Sequence, residues 1–504
     1  MSQHLAIIPI LLPLFAGLLM LLPPLAGVEN IRRRRITSLI VGAVSIFAAA
    51  NLAVQVQQGP LFYALGNWQA PNGIVLMADP LAAMLVLATC ILVFGSTVYA
   101  CAGEDRQGAY FYPLLQFQLM GINGAFLTAD LFNLFVFFEV LLIASYSLLI
   151  HGGGKQKTQA NVHYVVLNLV GSSLFLFALG ALYGTLGTLN MLDMAMRVPT
   201  ISEGEQVIAK VGGLMLLMVF GLKAAMLPLH FWLPKTYSAA SASVAALFAI
   251  MTKVGIYSIY RVYTMIFGEH AGPLADMALG WIWPLALLTL IGGAIGVLAS
   301  PNLRQMAANM VIISVGTLLI SFAIRSQEAS AAGFYYMIHS TFVTAALFMI
   351  ADMLGQQRGK ALDRFVVARK VKQPVLLGSL FFVASMAVAG LPPFSGFIGK
   401  LLILQSAHQA TEMIWVWTLI LLAGLVCIVA LSRAGSTVFW RHTGGNNNDI
   451  ASLSYWQIGA AGLMLLMSPL MVVFGAVTTE YMQLAALQLH QFSGLFELLG
   501  RANP

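Results

Sequence analysis

Six ionisable side chains stand inside long apolar stretches. Glu139 lies in DLFNLFVFFEVLLIASY, Lys223 and His230 in GLKAAMLPLHFWLP, and Lys253 in SVAALFAIMTKVGIYSIY. His339 follows in YYMIHSTFVTAALF and Lys400 in VAGLPPFSGFIGK. An ionised group at a bilayer centre costs on the order of 3 kcal/mol or more, so such groups usually face a wet interior and do work. Lysine gives up its proton readily when buried and arginine does not, so three lysines with one carboxylate suit a proton relay. A static Glu139–Lys223 ion pair is the plain alternative, but it leaves Lys253 and Lys400 without a carboxylate in their own spans. At about 1.5 Å per residue, Glu139 lies roughly 14 Å and Lys223 roughly 18 Å into their helices, at matching depth. Held about 4 Å apart at an effective dielectric of about 20, they would attract by about 4 kcal/mol, which keeps the proton on Lys223. Separating them, or neutralising Glu139, would release it toward Lys253. His230 is assigned to the path because it adjoins Pro228; His339 either joins the path or simply bonds a neighbouring Ser or Thr. Arg261 reads as snorkelling to the outer surface, and Asp130 as a helix N-cap. The small polar residues of SAASAS (238–243), Thr252 and Ser395 suit either a water path or helix packing.

The elements that carry these residues are membrane helices. Of 504 residues, 60% are hydrophobic and 9% charged, against about 25% charged in soluble domains. That composition excludes a water-facing globule. The net charge of +7 does not indicate nucleic-acid binding, because the basic residues sit in short loops between apolar runs. A span needs about 20 apolar residues. Runs near 5–26, 36–56, 79–101, 111–128, 130–150, 163–187, 211–233, 237–267, 279–299, 304–324, 331–354, 374–407, 412–438 and 455–478 predict about fourteen helices. With both termini outside a bacterial inner membrane, seventeen of the 25 basic residues fall in cytoplasmic loops. Arg32 to Arg35 follow the first apolar run rather than precede it, which argues against a cleaved signal.

Two spans carry breaks, the seventh at Pro228 and Pro234, the twelfth at Gly390, Pro392 and Pro393. Lipid tolerates such breaks only where they are buried in protein or line a wet cavity. Their corresponding positions predict an all-α fold with two inverted five-helix repeats. The expected division is 1–110, three helices with a small extended cap at 59–80; 111–267, the first repeat; 279–438, the second; and 439–504, the last helix and a mildly amphipathic tail. Cys90, Cys101 and Cys427 have no metal-ligand spacing, and no cofactor motif or glycine-rich nucleotide loop occurs. The expected cofactor set is therefore empty.

The run DLFNLFVFFEVLLIASYSLL, the broken GLKAAMLPLHFWLP, the Lys253 span and GLPPFSGFIGK resemble the antiporter-like subunits shared by Mrp-type cation/proton antiporters and respiratory complex I. The length and the LGNWQAPNGIVLMADPLAAML segment resemble the D-type Mrp subunits most. The resemblance implies a Glu–Lys pair at Glu139 and Lys223, a central lysine at Lys253 and an exit-side residue at Lys400. It also implies partners, the other subunits of an Mrp-type complex, with Na+ or K+ carried by the assembly. Many relatives carry a lysine five residues after the span-eleven histidine; here that position is Thr344. A sodium site wants several hard oxygen ligands, and the interior offers one carboxylate, so the cation is expected to cross mainly elsewhere in the complex. The competing expectations are a proton-pumping subunit of complex I or a membrane-bound hydrogenase, and a scaffold without transport.

Overall fold

A computed structural model describes residues 2–443 and 452–491. The part of the predicted tail beyond 491 lies outside the described residues. The N-terminal part comprises α1 (Ile8–Leu19), α2 (Ile31–Gln55), β1 (Leu61–Ala64), β2 (Val75–Ala78) and α3 (Pro80–Ala100). The first central group is α4 (Phe111–Leu127), α5 (Leu131–Leu149), α6 (Lys155–Leu186), the short α7 (Met191–Arg197), α8 (Glu203–Ala224), α9 (Trp232–Ala239), α10 (Ala242–Phe248) and α11 (Met251–Met265). The second is α12 (Leu279–Ala299), α13 (Leu303–Ala323), α14 (Gln327–Arg358), α15 (Pro374–Ala389), α16 (Ser395–Gln405) and α17 (Ala410–Phe439). α18 (Tyr455–Val473) and α19 (Gly475–His490) close the described chain. Part of the segment expected as a mildly amphipathic tail is the regular helix α19, packed on α14 and α3.

Eleven helices among the described residues are long and apolar enough to cross a membrane. Three of the expected runs are shorter: α1, α4, and the pair α15–α16, which is interrupted. The layering follows from who needs water or lipid. The spans Ala242–Met265 and Leu303–Ala323 are buried throughout, whereas Lys155–Leu186 and Ala410–Phe439 turn residues such as Phe177, Leu169, Leu421 and Leu425 outward. Long exposed apolar faces around a buried centre are stable only in lipid, where each helix satisfies its own backbone. Within the 59–80 segment β1 and β2 pair antiparallel, Leu61 opposite Ala78 and Ala64 opposite Val75.

Both expected breaks occur. α8 ends at Ala224, Ala225 turns into the left-handed region at φ 60°, and helix resumes only at Trp232. The Thr289 hydroxyl and the Trp232 indole take up freed backbone groups, accepting from Leu227 N at 2.9 Å and donating to Leu222 O at 3.1 Å. In the second break Gly390, at φ 83°, ends α15 before Pro392 and Pro393. A third interruption was not foreseen. The eighth run is not one helix, because α10 and α11 are joined through Ala249 and Ile250 by 3-10-type bonds, just before Lys253. Such mid-helix tightening often marks a hinge.

α8 and α11 approach closely at Gly255, where a Cβ would stand 2.6 Å from Ala224 N and 2.9 Å from Phe220 O. Backbone atoms cannot move aside as a side chain can, so Gly255→Ala must part the two helices. The expected cost is about 1–3 kcal/mol, typical of overpacking, read as a lower melting temperature of the detergent-solubilised protein.

Candidate functional site

The site grows outward from Lys253. Its side chain is fully buried, and Nζ donates to Ser314 Oγ on α13 at 3.1 Å. Ser314 in turn donates to Ser340 Oγ on α14 at 3.1 Å. Ser340 is the immediate neighbour of His339, whose Nδ1 lies 2.8 Å from Ser395 Oγ on α16. Ser395 also bonds Ser468 of α18 at 2.8 Å. One and a half turns further along α16, Lys400 Nζ donates to Ala389 O at 2.8 Å and Val388 O at 3.3 Å. These carbonyls end α15, where the helix dipole favours a cation. Gly396 makes room for this crossing, since a Cβ there would stand 2.6 Å from His339 Nε2.

On the other side of Lys253, Lys223 occupies the last turn of α8, and its Nζ donates to Asn168 Oδ1 on α6 at 3.0 Å. It also lies 5.8 Å from the centre of the Phe138 ring. Glu139, half-buried, accepts from the Ser172 hydroxyl. Asn168 and Ser172 are one turn apart on α6, so a single helix face holds both ends of the expected pair. The expected 4 Å contact is absent, however: none of the ion pairs found among the described residues involves Glu139, Lys223, Lys253 or Lys400. Asn168 and Ser172 have taken the polar contacts that a direct bridge would have used. His230 sits at the α8–α9 break, half-buried, with Nδ1 buried and unpartnered. Thr344 is buried on α14.

Asp130 caps α5 as expected, accepting from Asn133 N at 2.8 Å. Arg261 overturns its expectation. It is 1% exposed and does not snorkel, because Asp79 at the head of α3 receives its guanidinium in two bonds of 2.5 and 2.9 Å. A partner 182 positions away in sequence removes the need to reach water. The residues that the sequence did not single out are Asn168, Ser172, Ser314, Ser340 and Ser468. Small neutral polar residues are common at membrane helix contacts, and nothing in their spacing marks them.

On the membrane face opposite the β1–β2 hairpin, Glu104 accepts from Ala242 N at 3.0 Å, Ser243 N at 3.1 Å and the Ser243 hydroxyl at the head of α10. Burial, and then the negative charge of Asp352, push this carboxyl from its ordinary 4.5 up to about 7, against the pull of those three donors. A carboxyl raised on folding binds more protons in the native state between those two values, so stability falls as pH rises through that window. The melting temperature is therefore expected to decline from about pH 5 to about pH 8 more steeply in the wild type than in Glu104→Gln. Parallel curves would refute the assignment.

Among the described residues no three His, Cys, Asp or Glu side chains converge as metal ligands. The groups present are proton donors and acceptors held in separate hydrogen-bonded clusters around Lys223, Lys253, His339 and Lys400.

Residues 128–427 match the family described as "NADH:quinone oxidoreductase/Mrp antiporter, TM". The chain is 38% identical over 442 residues to the D-type subunit of a Na(+)/H(+) antiporter from Bacillus subtilis, covering 87% of each. It is 36% identical over 473 residues to the D-type subunit of a probable K(+)/H(+) antiporter from Rhizobium meliloti, again covering 87% of each. Its fold superposes on a chain of the Mrp complex from Dietzia sp. with a TM-score of 0.83, at 23% identity and 99% coverage of both. A chain of respiratory complex I from Thermus thermophilus gives 0.81 at 24% identity, covering 96% of this chain and 99% of that one. The family match over more than half of the chain and these relatives identify the chain as a member of the NADH:quinone oxidoreductase/Mrp antiporter family of membrane subunits.

Proposed function

We propose that this chain is the proton-carrying subunit of a multisubunit monovalent cation/proton antiporter of the Mrp type. Protons would pass among Glu139, Lys223, Lys253, His339 and Lys400, with His230 serving the α8–α9 break. The single observation that carries this reading is the hydrogen-bonded line Lys253–Ser314–Ser340, which ends beside His339 and its partner Ser395. It joins α11, α13 and α14 through buried side chains. A structural scaffold has no need for a wholly buried lysine without a carboxylate; a relay has.

The reading includes fourteen crossings, with α1, α4 and the α15–α16 pair added to the eleven long spans, and both termini outside. It divides the chain at 1–110, 111–267, 279–438 and 439–504. In the two middle parts the fourth span is broken, and Lys223 precedes its break as Lys400 follows its own, which is the arrangement of an inverted repeat. The bound cation, Na+ or K+, would cross chiefly through other subunits, since the row offers one carboxylate and three competing ammonium groups.

Relatives named as D-type antiporter subunits, at 36–38% identity, favour an antiporter over the redox-driven alternative, a complex I or hydrogenase subunit. The experiment that separates them is cation exchange in everted vesicles holding the chain with its co-purifying subunits. Proton movement on adding Na+ or K+, without any electron donor, is expected. Movement only on oxidising a donor would place the chain in a redox pump instead.

A further inference from the structure

The outward side of Lys253 is closed by groups that the relay does not use. Lys253, Tyr257 and Arg261 stand at intervals of four on α11, one face of the helix, each step rising about 6 Å. The Arg261 guanidinium binds Asp79 twice, and it also donates to the Tyr257 hydroxyl from Nε at 3.1 Å and Nη2 at 3.0 Å. That hydroxyl donates onward to Phe126 O of α4 at 2.6 Å, and the Phe126 ring meets the Tyr257 ring edge-on at 5.1 Å between centres. Asp79 is fixed by accepting from Ala82 N at 2.8 Å as the cap of α3. All three side chains are at most 2% exposed. Neighbouring tyrosines complete the closure: Tyr260 bonds Ser321 at 2.8 Å, and Tyr263 donates to Gly213 O at 2.5 Å.

We propose that Asp79, Tyr257 and Arg261 form a proton-tight plug between Lys253 and the hairpin-bearing face, so that a proton on Lys253 can leave only sideways through Ser314. The inference rests on the reading that Lys253 carries protons. Arginine stays charged throughout, so Arg261 neither accepts a proton from Lys253 nor passes one on. Its fixed cation also repels hydronium and metal cations, in the manner of the arginine barriers of selective pores. Asp79 balances that charge, and the guanidinium hydrogens of Arg261 are taken up by Asp79, Tyr257 and Met265, which leaves the guanidinium no donor to start a water file. Without such a plug a buried lysine that exchanges protons would short-circuit the gradient it serves.

The test uses the complete antiporter complex in proteoliposomes with a preset pH gradient and no exchangeable cation, so that only passive proton leak is read. Arg261→Gln and Asp79→Asn are expected to raise that leak by about tenfold, and adding Lys253→Ala to either should return it to the wild-type rate. Tyr257→Phe keeps the ring and removes only the hydroxyl; it gives the reading if the charged variants fail to assemble, again with a raised leak expected. Wild-type leak in every variant that assembles overturns the plug, as does a leak that survives Lys253→Ala. The underlying relay is judged separately, by cation-driven exchange in Lys253→Ala alone: if that exchange is undiminished the relay fails, whatever the leak shows.

Discussion

Replacing Lys253 with alanine is expected to lower cation-driven proton exchange by about 100-fold or more, the scale on which removal of a positioned proton-transfer group acts. The fold offers no substitute. Lys253 is fully buried, and among the described residues its Nζ is the only ionisable atom bonded to the Ser314–Ser340 line. Lys253→Arg is the sharper variant, because it keeps the charge and cannot release a proton. A relay therefore predicts that arginine fails nearly as completely as alanine. A lysine serving only as a fixed charge predicts that arginine restores function. The measurement is the rate of pH change in vesicles after a cation pulse, with the amount of assembled complex determined in parallel.

The second large effect falls on Glu139. Its carboxylate is held by Ser172, and Lys223 is held by Asn168 one turn away on the same helix. Taken at about 8 Å, twice the separation of a direct bridge, opposite charges at an effective dielectric of about 20 attract by about 2 kcal/mol. Removing that attraction changes the hold on the Lys223 proton by a factor of about 30. Glu139→Gln keeps the Ser172 contact and deletes only the charge, so exchange is expected to fall by about that factor. Asn168→Ala deletes the other anchor and leaves Lys223 without its bonded partner, and a decline of similar sign follows. If Glu139→Gln exchanges at the wild-type rate, the coupling between the two residues through α6 is not part of transport. The absence of a direct bridge matters here. A pair locked at about 4 Å would have to break before each turnover, whereas separate anchors on Asn168 and Ser172 allow the charge on Glu139 to modulate Lys223 without immobilising it.

The candidate residues are legible because an ionisable group inside an apolar run has no cheap reason to be there. Glu139, Lys223, Lys253 and Lys400 are conspicuous for that reason alone, and Pro228, Gly390, Pro392 and Pro393 mark the broken helices through their effect on backbone hydrogen bonding. What escaped the sequence is the connection between them. Ser314, Ser340 and Ser468 look like packing residues, and only the fold brings Ser314 and Ser340 together beside Lys253, and Ser468 to Ser395 beside His339. Arg261 was misread because its place near a helix end fits snorkelling as well as pairing, and its partner Asp79 belongs to a distant helix. The Ala249–Ile250 interruption carries neither proline nor glycine, so no residue type announces it. The count of long spans likewise differs from the sequence expectation: α1 has 12 residues and α4 has 17, and α4 packs against both α1 and α5.

The central claim is that protons cross the buried row from one half of the molecule to the other, and Lys400, at its far end, tests it most directly. The measurement is cation-driven proton flux in proteoliposomes containing the whole complex, comparing wild type with Lys400→Ala at equal assembly. The account predicts that Lys400→Ala loses coupled flux although Glu139, Lys223 and Lys253 are intact. Wild-type flux in that variant would contradict it.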